Sequence, residues 1–281
     1  FYPDPTPHVV HEVPGMELAG RVIGRGARVA GWSDGDEVMA IVSGGAYAEQ
    51  VVVHERQLMR VPSTVSVADA AAIPEVWITA HDALVSQGGL TAGRTALVHA
   101  GASGVGSAAI QIAKAIGARV VTTASTTKVD ACHGFGADAV VDYTLPDADL
   151  VTACLELTGG AGVDVVLDVI GGDELARNIR ALRVGGRIIQ VGVMGGGKVE
   201  IELGMLLPKR ATITGTVLRA RPIEEKIAAT RRFAAEVLPL FESGAVHPVI
   251  DRRFDLDHIA DAHRHMEANA NIGKILVDIA S

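Results

Sequence analysis

The clearest chemical potential in the chain lies in the small residues of His99-Ala100-Gly101-Ala102-Ser103-Gly104-Val105-Gly106. An apolar run, Ala96-Leu97-Val98, precedes them, and Ile110, Ile112, Ala113 and Ile116 follow at helical period. The pattern predicts a strand, a tight turn and a helix. A helix N-terminus carries unpaired N–H groups and a partial positive charge, so a phosphate fits there if no side chain obstructs it. Gly101, Gly104 and Gly106, with Ala102, Ser103 and Val105 between them, clear that space. The strict dinucleotide spacing G-x-G-x-x-G is not met, because Ser103 stands at its second glycine. The turn alone also suits an ordinary strand-to-helix connection, and the alternation downstream favours the ligand reading.

A dinucleotide fold that takes NAD places an acid about 20 residues beyond the glycine turn, at the end of the second strand, against the adenosine 2′-hydroxyl. Here that strand reads Val-Val-Thr-Thr-Ala-Ser-Thr-Thr-Lys, with Ala124 and Ser125 at that place and Lys128 just beyond. No carboxylate is available to repel a 2′-phosphate, and Lys128 offers a cation to receive one, so the expected cofactor is NADPH. Tyr143, at the end of the third strand, closes the same pocket in this reading. The run Gly192-Val193-Met194-Gly195-Gly196-Gly197 follows the fifth strand, where backbone can approach a cofactor's reactive ring.

The elements that position these residues repeat. Strands at Arg119–Thr123, Ala139–Tyr143, Val163–Val169 and Arg187–Val193 alternate with helices near Thr127–Gly134, Asp147–Leu157 and Glu174–Leu182. Runs apolar on both faces, such as Val165-Val166-Leu167, are those of parallel strands covered by helices on both sides. The prediction is an α/β fold, a doubly wound parallel Rossmann sheet, whose ligand crevice lies beyond the carboxyl ends of its strands. Gly185-Gly186 read as a helix cap or tight turn. Before the sheet, short runs at Leu18–Ile23, Glu37–Val42, Tyr47–Val53 and Gln57–Val61, separated by Gly- and Pro-containing turns, predict a β-rich lobe, and helix follows from Val67 past Pro74 and Trp77 to Gly88-Gly89. After it come a strand at Arg210–Leu218, a helix at Ile223–Phe241, and strands at Ile250–Phe254 and Lys274–Ile279 flanking a helix at Leu256–Ala268. Expected domains are 1–75, 76–219 and 220–281, the last returning to the first lobe. The sequence starts without an initiator methionine or an opening strand, so part of the first lobe is expected to be missing.

With 281 residues the chain can bury the core of two lobes. A net charge of -8, with no run of Lys and Arg, argues against a nucleic-acid partner. No window reaches the ~18 apolar residues of a membrane span, and a cytoplasmic location is expected. The two cysteines, Cys132 and Cys154, have neither C-x-x-C nor Cys/His ligand spacing and read as buried side chains. His99 falls in a buried strand, and His258, His263 and His265 on a partly solvated helix, so none is assigned to catalysis.

The segments Gly15–Gly20 (GMELAG), Gly35–Val53, Ala71–Ala80 (AAIPEVWITA), His99–Lys114 and Met266–Ile279 together resemble the zinc-free, zeta-crystallin-like quinone oxidoreductase branch of the medium-chain dehydrogenase/reductase superfamily. Within that branch the likeness is greatest to the tumour-suppressor-inducible NADPH quinone oxidoreductases and their bacterial relatives. The resemblance implies a β-rich GroES-like catalytic domain, discontinuous in sequence, into which the cofactor domain is inserted, with the active site in the cleft between them. It implies that Ser125, Lys128 and Tyr143 bind the 2′-phosphoribose, that Ala102, Ser103, Gly104, Val105 and Gly106 bind the pyrophosphate, and that Met194 and Gly195 border the nicotinamide. Thr79 would face that ring, Asn271, Gly273 and Lys274 would close over the cofactor, and Tyr2 would lie near the substrate. The family's loop bearing an active-site asparagine has no counterpart here.

Zinc-dependent relatives carry a histidine ligand in a G-H-E motif. This chain reads Gly15-Met16-Glu17, and a thioether is a poor zinc ligand, so no metal is expected. Without a Lewis acid, reduction of an already electrophilic acceptor is favoured over alcohol oxidation. The implied activity is hydride transfer from NADPH to a small-molecule quinone. The rivals are an NADPH-dependent enone or enoyl-thioester reductase and a non-catalytic, crystallin-like NADPH-binding protein. A homodimer through an exposed edge strand at Ala211–Leu218 is also expected.

Overall fold

The computed structural model describes residues 13–279. Three strands come first, β1 (Glu17–Arg21), β2 (Glu37–Ile41) and β3 (Met59–Arg60), in an antiparallel sheet of order β1-β2-β3. The run Tyr47–Val53 is not a strand. After Gly44-Gly45 the chain turns back to donate from Gly45, Ala46 and Tyr47 to the carbonyls of Val13, Gly15 and Pro14. None of the run's residues is fully buried, and Val52 is fully exposed, so the run has no core face to hold it as a strand. The run Gln57–Val61 likewise shortens to β3, because Glu55–Gln57 forms a 3-10 turn capped by His54.

Helices α1 (Val67–Ala70) and α2 (Pro74–His81) follow. Pro74 opens α2, where its missing N–H costs no hydrogen bond. The helix then widens into a π-helical stretch, Asp82–Gln87, a form that concentrates at functional places.

Next comes a six-stranded sheet, parallel throughout: β4 (Thr95–Val98), β5 (Arg119–Ala124), β6 (Ala139–Asp142), β7 (Val163–Asp168), β8 (Leu182–Gln190) and β9 (Thr212–Gly215), in the order β6-β5-β4-β7-β8-β9. Its crossovers hold α3 (Gly104–Ala115), α4 (Val129–Gly134), α5 (Leu150–Leu157), α6 (Glu174–Ala181) and α7 (Leu206–Lys209). Leu97, Val121, Val141, Val166 and Ile188 pack against Leu150 and Cys154 of α5 and Ile179 of α6. Each fully buried aliphatic side chain of this kind contributes roughly 1.5–3 kcal/mol. Gly185-Gly186 do not cap α6, which ends at Ala181. They lie inside β8, where Gly185 takes φ +76 and the pairing shifts from Val163↔Leu182 to Val165↔Arg187, three more residues on β8 than on β7, an irregularity that begins the strand earlier than its apolar run predicts. Strand β9 is shorter than the expected Arg210–Leu218.

The remaining segment forms α8 (Ile223–Glu236), α9 (Leu238–Glu242), β10 (Ile250–Asp255), α10 (Ile259–Glu267) and β11 (Lys274–Asp278), with β10 and β11 pairing in parallel. The expected single helix Ile223–Phe241 breaks at Val237, because Pro239 has no N–H for the carbonyl one turn back. Two compact units result. One comprises the chain up to Ile78 together with Val217 onward, and the other spans Thr79–Thr216. In the first, Trp77 and Phe241 meet edge to face at 4.6 Å. Among the described residues no helix is long and apolar enough to cross a membrane.

Candidate functional site

Strand order in the Thr79–Thr216 unit reverses between β4 and β7, and in such sheets ligands bind beyond the strand ends at that reversal. The chain leaves β4 through Ala100, held at φ +54, a region rare for a residue with a side chain. A Cβ on Gly101 would meet Thr122 Oγ1 at 2.2 Å, and one on Gly106 would meet the Ala100 carbonyl oxygen at 2.2 Å. These glycines let α3 close on the turn. Ser103 caps α3 by accepting from the Gly106 N–H at 3.0 Å. Its carbonyl accepts from Ser107, and its own N–H donates to Ala100. The N–H groups of Gly104 and Val105 have no backbone acceptor among the described residues, so α3 presents two donors to an anion.

At the neighbouring strand end, Ser125 follows β5 and precedes a 3-10 turn, Thr126–Lys128. Lys128 is only 9% exposed, so it is not a solvated surface lysine. Tyr143, one residue past β6, donates its N–H to the Ala124 carbonyl and is 55% exposed. The expectation that no carboxylate stands here is corrected by Asp142, the last residue of β6, which the register sets opposite Ala124. Its Oδ1 accepts from the Thr144 N–H (3.0 Å) and hydroxyl (2.6 Å), and the Thr144 and Thr126 hydroxyls are 2.7 Å apart. Hydrogen bonds from Thr126 and Thr144 lower the Asp142 pKa below the ordinary carboxylate value. Reading the second strand alone misses this acid because the third strand supplies it.

Beyond β7 and β8 two loops run side by side. Gly171 (φ +68) and Gly172 (φ +56) bend the first, Gly171 bridges to Gly196, and the N–H groups of Met194 and Gly195 donate to Val169 and Ile170. A Cβ on Gly192 would crowd the Val169 carbonyl at 3.0 Å, and one on Gly195 would press on Ile170 at 2.9 Å. Met194 is 74% exposed. Beneath these loops runs a fully buried polar chain that the sequence did not disclose. Asp168 Oδ1 accepts from the N–H groups of Ile170 (2.6 Å) and Gly171 (2.9 Å), and its Oδ2 accepts from Asn178 Nδ2 (2.9 Å). Asn178 Oδ1 lies 2.7 Å from His99 Nε2, and His99 Nδ1 lies 3.3 Å from the Thr123 hydroxyl, which accepts from the Ala100 N–H. His99 thus has both ring nitrogens engaged.

Thr79, in α2, has a buried hydroxyl without a hydrogen-bond partner among the described residues. Such an orphaned group, two open N–H donors and a turn cleared by glycine fit a nicotinamide dinucleotide. Tyr2 lies outside the described residues.

The other unit holds Asn271, Gly273 and Lys274. Asn271 Nδ2 donates to the Gly273 carbonyl, and Gly273 takes φ +79 with room for no Cβ, which would sit 2.3 Å from the Val249 carbonyl oxygen. The Lys274 ammonium pairs with Glu17 at 2.5 Å. Burial alone would lower its pKa, but Glu17, Glu75 and Tyr47 outweigh that and raise it. His265 Nε2 lies 2.7 Å from Asp251, whose other oxygen accepts from the Ile272 N–H at 3.0 Å. Among the described residues no three of His, Cys, Asp and Glu converge as a metal set.

A family profile described as "Alcohol dehydrogenase GroES-like domain" matches residues 2–63, and one described as "Zinc-binding dehydrogenase" matches 104–236. The chain is 31% identical to "Quinone oxidoreductase-like protein 2" of Bos taurus, over 97% of this chain and 78% of that protein. It is 34% identical to "Polyketide synthase GfsB" of Streptomyces halstedii, over 99% of this chain, but spans only 5% of that protein's length. Among solved structures, mycobacterial Rv1454c complexed with NADPH superposes with a TM-score of 0.85 at 29% identity, covering 97% of this chain and 84% of that one. The JamJ enoyl reductase (apo form) gives a TM-score of 0.83 at 26% identity, covering 95% and 79%.

Proposed function

We propose, from the premise that this chain belongs to the medium-chain dehydrogenase/reductase superfamily, that it is a cytoplasmic, NADPH-dependent and zinc-independent quinone oxidoreductase. The observation that carries the cofactor reading is the end of β5, where Ala124-Ser125 replaces an acid and Lys128 follows. In this reading Ser125, Lys128 and Tyr143 hold the 2′-phosphoribose. The open N–H groups of Gly104 and Val105 serve the pyrophosphate, with Ala102, Ser103 and Gly106 shaping the turn. Gly192, Met194 and Gly195 border the nicotinamide, and the Thr79 hydroxyl gains a partner from it. Asn271, Gly273 and Lys274 are assigned to cofactor binding in the same reading, and Tyr2 with Thr79 to the catalytic set.

When bound, NADPH supplies a hydride from C4 of its nicotinamide. The chain's own contribution is to hold donor and acceptor face to face and to exclude water, because a quinone gains aromaticity on reduction and is an electrophile without assistance. Met16 stands where zinc-dependent relatives have a histidine, which supports a reaction without that metal. The edge position of β9, with Ile213, Leu203 and Leu207 exposed, supports a homodimer.

The test is fluorescence titration with NADPH and NADH, then turnover with 1,2-naphthoquinone and with a crotonyl thioester, with and without chelator. Tighter NADPH binding and faster, chelator-resistant quinone reduction are expected. Preference for NADH, or loss of turnover to the chelator, refutes the reading. The likeness to an enoyl reductase and a polyketide synthase favours a second reading, reduction of an enoyl thioester. Faster reduction of the crotonyl compound would establish it. NADPH binding without turnover on either acceptor would instead indicate a crystallin-like binding protein.

A further inference from the structure

We propose that Asp142 sets the discrimination between dinucleotides with and without a 2′-phosphate, acting as an electrostatic brake on the phosphorylated one. The inference rests on the cofactor reading above and adds a residue that reading does not use.

The register places Asp142 level with Ala124, and the Thr144 hydroxyl that donates to it lies 2.7 Å from the hydroxyl of Thr126, the residue after Ser125, so the carboxylate is tied to the turn that carries Ser125 and Lys128. Its hydrogen-bond donors are the Thr144 N–H and hydroxyl and the Thr126 hydroxyl, all neutral, so none cancels its charge. Those bonds lower its pKa from an already acidic value, so it carries its charge at neutral pH. Lys128 attracts a dianion arriving here, and Asp142 repels it. The carboxylate also occupies two hydroxyl donors, on Thr126 and Thr144, that would otherwise be available to an anion. Asparagine in its place removes the repulsion but still accepts from the hydroxyls, whereas alanine removes both the charge and the acceptor. A ligand that ends in a neutral ribose meets no charge repulsion, and its hydroxyls can donate to the carboxylate.

The experiment is calorimetric titration with adenosine 2′,5′-bisphosphate and with 5′-AMP of wild type, Asp142→Asn, Asp142→Ala and Lys128→Ala, at low and high salt. Thermal melting checks that each variant is folded. Asp142→Asn is expected to bind the bisphosphate about 3- to 10-fold more tightly with no gain for 5′-AMP, the effect shrinking at high salt. Asp142→Ala is expected to gain in the same direction. Unchanged or weaker bisphosphate binding in both Asp142 variants overturns the proposal. If Lys128→Ala still weakens the bisphosphate, the cofactor reading survives that result. If Lys128→Ala has no effect, the cofactor reading falls and the proposal with it.

Discussion

A methyl group at Gly106 has nowhere to go, because the Ala100 carbonyl oxygen lies 2.2 Å from where it would be. Gly106→Ala is therefore expected to push α3 off its turn, destabilising the unit by roughly 1–3 kcal/mol and abolishing NADPH binding. A thermal melt and a fluorescence titration check both effects. Lys128→Ala is expected to weaken NADPH about 10- to 100-fold through one lost charge-assisted contact, with NADH unaffected. The two cysteines behave oppositely to reactive thiols. Burial pushes Cys132 up to about 11 and Cys154 up to about 12, so neither is expected to react with a thiol reagent at pH 8 until denaturant is added. At this scale the sequence disclosed the glycines, because a missing side chain is visible as a letter. It did not disclose Asp142, because what counts there is the neighbour across the ladder, 18 positions after Ala124.

Between residues and fold, the elements that were legible are those with one face or both faces fully buried. β4 is buried at all four positions and α3 along most of its length, and both stand where their apolar period places them. Leu97→Ala is expected to cost about 2–5 kcal/mol, read as a lower denaturant midpoint. The elements that were misjudged lack such a face: Tyr47–Val53 has no fully buried residue, and Gly185-Gly186 sit inside a strand where the pairing slips. Asp251 ties β10 to the loop before β11. Burial would raise its pKa, but the Ile272 N–H and His265 outweigh burial and lower it. A depressed carboxylate contributes stability above its unfolded pKa of about 3.9 and loses it as pH falls through the folded value. Asp251→Asn is thus expected to be less stable than wild type at pH 7, with the gap closing in acid, as urea unfolding at several pH values will record.

For the molecule as a whole, the strand order β6-β5-β4-β7-β8-β9 leaves β9 paired on one side only. If two copies pair along it, light scattering will give twice 29.2 kDa, and Ile213→Lys is expected to return the single mass. A single mass for wild type removes the dimer. The doubly wound order itself was readable from the alternation of strands and helices, since right-handed crossovers permit few others. The buried chain from Asp168 through Asn178 and His99 to Thr123 was not, because its members come from four separate segments. Their acceptors and donors run one way, outward from a carboxylate that can only accept, and they fasten the amides of Ala100, Ile170 and Gly171 at once. A single amide side chain therefore keeps two backbone turns in step. With Asn178→Leu, hydrogen exchange at those three amides should quicken in concert, though only two of them are close in sequence.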